Sequence, residues 1–223
     1  THWSDTNRVM LRNRRIGCSV SGVAQFITKH GLHEFRNWLE KGYDTIQDWD
    51  CMYSDWFAIP KSIKTTSVKP SGTVSLLAGA TPGLHYPESR FYIRRIRLSK
   101  HSELIEPLKK AKYKVEPAFG SEDTTMVVEV PVDVGEGIRT AAELSIWEQF
   151  SLAAFLQRHW ADNQVSCTVT FDPETEGGMI PQVLNYYQYQ LKGISLLPRH
   201  ELGAYKQMPY ESIDEKEYNK QVK

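Results

Sequence analysis

Cysteine is scarce and scattered: Cys18, Cys51 and Cys167 are the three in 223 residues, and no two form a CxxC pair. An odd number at such spacings is neither a disulfide framework nor a zinc site, and it reads as free thiols in a reducing, cytoplasmic setting. Long apolar runs are missing too. No stretch of about 18 apolar residues is present, so no membrane span is predicted, and no basic stretch leads into an apolar one, so no signal peptide is predicted. Net charge is absent, with 27 Lys+Arg against 27 Asp+Glu. That argues against the overall electrostatic footprint of a nucleic-acid binder, though not against a local one, and no direct nucleic-acid binding is predicted. A content of 24% charged and 11% aromatic residues argues against global disorder. His30 and His33 flank Gly31 without a third ligand in pattern, so no metal is predicted. An initiator Met is missing as well, and the opening Thr1-His2-Trp3-Ser4 suggests a piece of something longer.

What is present alternates between helical and extended patterns. Residues 5–15 form a short polar helix, and Ile16-Gly17 a turn. Val20 to Lys29 is predicted helical and stopped near Gly31. Leu32 to Lys41 is a second helix with Phe35, Trp38 and Leu39 on one face. β-branched residues from Ser62 to Val68 predict a strand, as do Phe91 to Leu98 and Thr124 to Val130, the last ended by Pro131. The longest helix runs from Ala141 to about Trp160, with Thr140 and Glu143 as its capping box. A strand Val165 to Phe171, a turn over 172–178, a helix Pro181 to Gln190 and a strand Gly193 to Leu197 follow. Ser212 and Glu215 cap a short polar terminal helix. Strands alternating with helices predict an α/β fold with parallel neighbours.

One stretch carries chemistry. Lys69-Pro70-Ser71-Gly72-Thr73-Val74-Ser75 places a proline, hydroxyl residues and a glycine between a strand and a short apolar helix. Helix N-termini hold unpaired N–H groups and suit phosphate. Gly72 allows close backbone approach, and Ser71, Thr73 and Ser75 add hydroxyl donors. The Walker A spacing is absent, and the same pattern also serves as an ordinary Ser/Thr N-cap.

Extended to Val68–Gly83, this stretch resembles a signature of the monomeric, adenosylcobalamin-dependent (class II) ribonucleoside-triphosphate reductases. Asn13–Gly17 with Gly22-Val23-Ala24, the basic run Tyr92–Arg97, Trp160–Val169 and Gly203–Glu211 are similar to further segments of that family, in the same order. The resemblance implies part, the second half, of a ten-stranded α/β barrel over residues 1–205, followed by a polar C-terminal segment, 206–223. It implies that Pro70, Ser71, Gly72, Thr73, Val74 and Ser75 bind substrate phosphates, with adenosylcobalamin as cofactor in the full-length enzyme. The implied partners are a ribonucleoside triphosphate, a thioredoxin-type reductant and the remainder of the reductase chain.

The family's Asn-Pro-Cys-x-Glu stretch, its radical-bearing cysteine and its C-terminal dithiol are not found, so no catalytic residue is assigned and the chain alone is expected to be inactive. No cobalamin-contacting residue is assigned either. Rival readings are a non-catalytic phosphate-binding fragment and a piece of a class I large subunit. Leu196-Leu197 stands where the latter would carry its tyrosine dyad, and Tyr186-Tyr187 reads as helix packing. Arg90, Arg94, Arg95 and Arg97 either contact nucleotide or nucleic acid or form a solvated strand face. His85 either lines the loop or bonds backbone.

Overall fold

The computed structural model describes residues 1–199 and 206–222. Its contacts divide the chain into two units, one of Thr1–Tyr86 with Glu143–Arg199, the other of Pro87–Ala142 with His200–Lys223. The first unit begins with α1 (Ser4–Asn13), β1 (Cys18–Ser19), α2 (Val23–Trp56), β2 (Thr66–Ser67) and α3 (Val74–Leu77). The second is then inserted as β3 (Phe91–Ser99), α4 (Ile105–Lys110), β4 (Lys114–Pro117) and β5 (Thr125–Asp133). The chain returns to the first unit with α5 (Ile146–His159), β6 (Thr168–Phe171), α6 (Ile180–Tyr187) and β7 (Ser195–Pro198), and ends in the second with β8 (Tyr210–Ser212) and α7 (Glu215–Gln221).

In the first unit the predicted break falls where glycine requires it: Gly31 adopts φ 80°, ψ 164°, splitting α2 into two helical segments. The second segment does not stop at Lys41 but runs to Trp56. Gly42 is retained inside it because a Cβ there would meet the Trp160 ring at 3.2 Å. Phe35 and Leu39 are buried, whereas Trp38 turns outward and its indole N–H donates to Glu34 (2.9 Å). The longest predicted helix also shifts. Ala141–Glu143 is a 3₁₀ turn, and the capping box belongs to Ser145 and Glu148 at the start of α5. Ser145 Oγ accepts from Glu148 N (3.2 Å), and the Glu148 carboxylate accepts from Ser145 N (3.0 Å).

The neighbours here are parallel, as the α/β pattern predicts: β1 with β2, Val68 with Val165, and β6 with β7. The strand predicted from Ser62 is much shorter, because carboxylates take the backbone donors a ladder would use. Ser62 N donates to Asp50 (2.8 Å) and Thr65 N to Asp162 (2.9 Å). Ile146, Phe150 and Leu156 of α5 pack with Val23, Val68, Val165, Val169 and Val183 into one apolar core.

The second unit departs from the parallel expectation. Its sheet is antiparallel throughout, ordered β4-β5-β3-β8. β5 runs through Pro131 instead of stopping there. Pro131 lies opposite Ile93, beyond the end of β4, so its missing N–H costs no bond to that strand. α7 is capped by Asp214, which accepts from Glu217 N (2.7 Å), not by Ser212 and Glu215. Residues 203–205 of the Gly203–Glu211 resemblance lie outside the described residues.

Candidate functional site

The chain leaving β2 at Val68 enters the hydroxyl-rich loop, and three side chains and one backbone amide of the preceding segment fix that loop's shape. Ser19 Oγ accepts from Lys69 N (2.9 Å), and Ser21 Oγ from Gly83 N (3.3 Å). Gln25 bridges the far side, donating to Gly79 O (3.0 Å) and accepting from Thr81 N (2.8 Å). Gly22 N donates to Thr81 O (2.8 Å). Gly83 sits at φ 53°, where a Cβ would come within 2.4 Å of Lys69 O, so no other residue brings the two ends of the loop this close. Sequence reasoning missed this clamp; the glycines at 22 and 83 are the signal that could have found it.

Within the loop the left-handed conformation falls on Ser71 (φ 52°), not on Gly72. A non-glycine residue held there is sparsely populated backbone, and such residues cluster at ligand sites. Ser75 is buried and its hydroxyl donates to Ser71 O, so it braces the turn and is not presented outward. Pro70, Thr73 and Val74 are exposed, and Ser71 and Gly72 half-buried. Among the described residues, the Ser71 and Thr73 hydroxyls and the Gly72 and Thr73 N–H groups meet no protein acceptor. α3 is a single turn of four residues, so its aligned dipole is small and these local donors carry any anion affinity.

His85 lies beside the loop but faces backbone at both ring nitrogens. Nε2 accepts from Thr168 N (3.2 Å), which leaves Nδ1 to donate to Pro82 O (3.3 Å). Burial pushes its pKa below the ordinary histidine value, against the smaller opposing pull of the Pro82 hydrogen bond. The arginines of β3 are not one solvated face: Arg95 pairs with Glu129 (2.8 Å) and Glu211, while Arg94 lies over the Tyr210 ring (4.4 Å) and donates to Pro209 O. Arg97 is exposed. Tyr187 packs in the core against Phe150 (5.6 Å between centroids), whereas Tyr186 is exposed beside Trp147. Cys167 is buried and its thiol is pushed up to about 12 by that burial, which removes it as a nucleophile.

Over 99% of its length the chain superposes on a crystal structure of a B12-dependent (class II) ribonucleotide reductase, with TM-score 0.83 and 34% identity, covering 34% of that chain. The chain thus corresponds to part of a cobalamin-dependent ribonucleotide reductase. Among curated relatives, the adenosylcobalamin-dependent ribonucleoside-triphosphate reductase of Euglena gracilis is 60% identical over 222 residues, all of this chain and 30% of the relative. The probable counterpart in Dictyostelium discoideum is 61% identical over 98% of this chain and 29% of its own length. That of Levilactobacillus brevis is 37% identical over 97% of this chain and 32% of its own. The chain therefore spans about a third of the relatives it matches. No family profile matches it.

Adenosylcobalamin is the cofactor of those relatives by name. A cavity of 290 Å³ between α2 and α5, lined by Glu40, Tyr43, Asp44, His159 and Asp162 among others, does not fit it. Drug-sized ligands already take about 300–1,000 Å³, and a corrinoid is larger.

Proposed function

We propose that this chain supplies the substrate phosphate loop, Pro70–Ser75, within the second half of the ten-stranded barrel of an adenosylcobalamin-dependent ribonucleoside-triphosphate reductase. The observation that carries the reading is the Ser71-Gly72-Thr73 turn, whose hydroxyls and N–H groups are uncommitted at the end of a parallel strand. Ligands of α/β sheets bind outside the carboxyl ends of the strands, and a phosphate there replaces water with several fixed donors. Ser75 holds the turn from below, and Gln25, Ser19 and Ser21 hold its ends. The reducing cysteines, the radical site and the contacts to cobalamin belong to the remainder of the reductase chain, with a thioredoxin-type protein as reductant. Identity of 60% to a cobalamin enzyme across the whole chain, together with Leu196-Leu197, supports this reading over the class I alternative.

The test is a chimera in which this chain replaces its counterpart in the Euglena gracilis enzyme. Gly72→Asp places a carboxylate against the phosphates, and like-charge contact costs several kcal/mol. The expected result is a rise of about tenfold or more in KM and Kd for ribonucleoside triphosphate. Unchanged substrate affinity would remove the loop from the site.

A further inference from the structure

The loop between α2 and β2 folds back onto the last two turns of the helix and is anchored on both sides of Lys61. Arg14 Nη1 donates to Pro60 O (2.7 Å) and to Ser54 Oγ (3.1 Å). On the other side, Ser62 N and Oγ both donate to the Asp50 carboxylate (2.8 and 2.7 Å). Between these anchors, Lys61 Nζ stands 2.7 Å from Cys51 Sγ. An N–H···O bond spans about 2.7–3.2 Å, and sulfur's larger radius makes an N–H···S contact longer than that. The observed separation is too short for such a contact and too long for a direct S–N bond. It matches two single bonds meeting at one small atom. Lys61 is also held above the ordinary lysine pKa, first by the Cys51 sulfur and then by Asp55 and Asp50, in keeping with this proximity.

We propose that Cys51 and Lys61 are an oxidant-responsive pair that closes into a covalent crosslink, with one oxygen atom joining Sγ to Nζ. The oxidant is a peroxide. One equivalent converts the thiol to sulfenic acid and is itself reduced to water. Lys61 then reacts as the free amine, its ammonium proton having passed to solvent. A second equivalent takes two more electrons as the sulfenic oxygen bonds to Nζ. The O–H and one N–H bond break, the O–N bond forms, and the peroxide leaves as two waters. The net change is one oxygen gained and two hydrogens lost. Thiols reverse it by attack at sulfur. The crosslink ties α2 to the segment that leads into β2.

The experiment treats the chimeric reductase with hydrogen peroxide, then cleaves with chymotrypsin, which cuts at Tyr53, Trp56 and Phe57 between the two residues. The peptides carrying Cys51 and Lys61 should remain joined, at the sum of their masses plus one oxygen minus two hydrogens. Dithiothreitol should release them, and both Lys61→Arg and Cys51→Ser should abolish the joined species. A joined pair lacking the oxygen would overturn the bridge in favour of a direct S–N bond. Separate peptides with whole oxygens on Cys51, or a crosslink that survives in Lys61→Arg, would overturn the pairing itself.

Discussion

The two units of the chain satisfy their buried polar groups in opposite ways. In the first, the polar residues buried with the parallel strands include the hydroxyl residues Thr65, Thr66 and Ser67, and each finds backbone or a neighbouring side chain. Thr66 Oγ1, for example, donates to Trp160 O (2.5 Å). Helices cover these strands, so α5 and the apolar cluster around Phe150 carry the stability. In the second, a carboxylate is the charged residue buried deepest among the described residues. Glu129 on β5, 4% exposed, lies opposite Arg95 of β3 and Lys114 of β4. Both cations reach it, at 2.8 and 3.1 Å. The antiparallel ladder sets a register, and the register lines up a row of charges. The first unit should therefore fail through cavities, the second through unpaired charge.

Phe150→Ala tests the first half of this contrast and should have the largest effect. Phe150 is 1% exposed at the centre of the core, and truncating a buried Phe costs about 3–5 kcal/mol. Hydrogen exchange should accelerate across α5, β6 and α6 and leave β3 and β5 protected. Equal loss of protection in β3 and β5 would break the comparison, because the units would then open together. Arg95→Met tests the second half. It leaves Glu129 with Lys114, whose side chain is 60% exposed, and should cost about 3 kcal/mol, the low end for breaking a buried pair. The sharper measurement is the double variant Arg95→Met, Glu129→Leu. It should recover most of that loss in the denaturant midpoint, because the stranded charge is gone.

These contrasts bear on what the sequence could reveal. The break at Gly31, strands β3 and β6, and the hydroxyl-rich loop are local patterns and are legible as such. The extension of α2 past Gly42 is not, since only Trp160, more than a hundred residues later, explains that glycine. The lost strand at 62–65 depends on Asp50 and Asp162, and β-propensity alone cannot anticipate acceptors that arrive from distant segments. The capping box is ambiguous in the sequence because Thr140-x-x-Glu143 and Ser145-x-x-Glu148 both satisfy the pattern, and burial of Ile146 and Phe150 selects the second. At the candidate site the motif gives the loop, whereas its clamp joins residues some fifty to sixty positions apart and becomes visible only in three dimensions.

Asp162 asks whether charge matters at all in the first unit, and its effect should be the smallest. Its carboxylate accepts from Thr65 N (2.9 Å), Thr65 Oγ1 (3.1 Å) and Tyr43 OH (2.9 Å). Burial alone raises its pKa. The Thr65 and Tyr43 donors, with Lys64 nearby, outweigh that and hold it below the ordinary 3.8. A carboxylate depressed in the folded state contributes stability that is complete above its unfolded value and is lost as pH falls through the folded one. The protection factor of the Thr65 amide, its exchange corrected for the intrinsic rate at each pH, should thus hold at neutral pH and drop only in acid, below about pH 4. Asp162→Asn keeps an acceptor without the charge and should cost on the order of 1 kcal/mol at neutral pH, while flattening the acid response of that amide. If the acid response persisted in Asp162→Asn, another carboxylate would hold the strand entry, and the first unit would depend on charge more widely than its apolar core suggests.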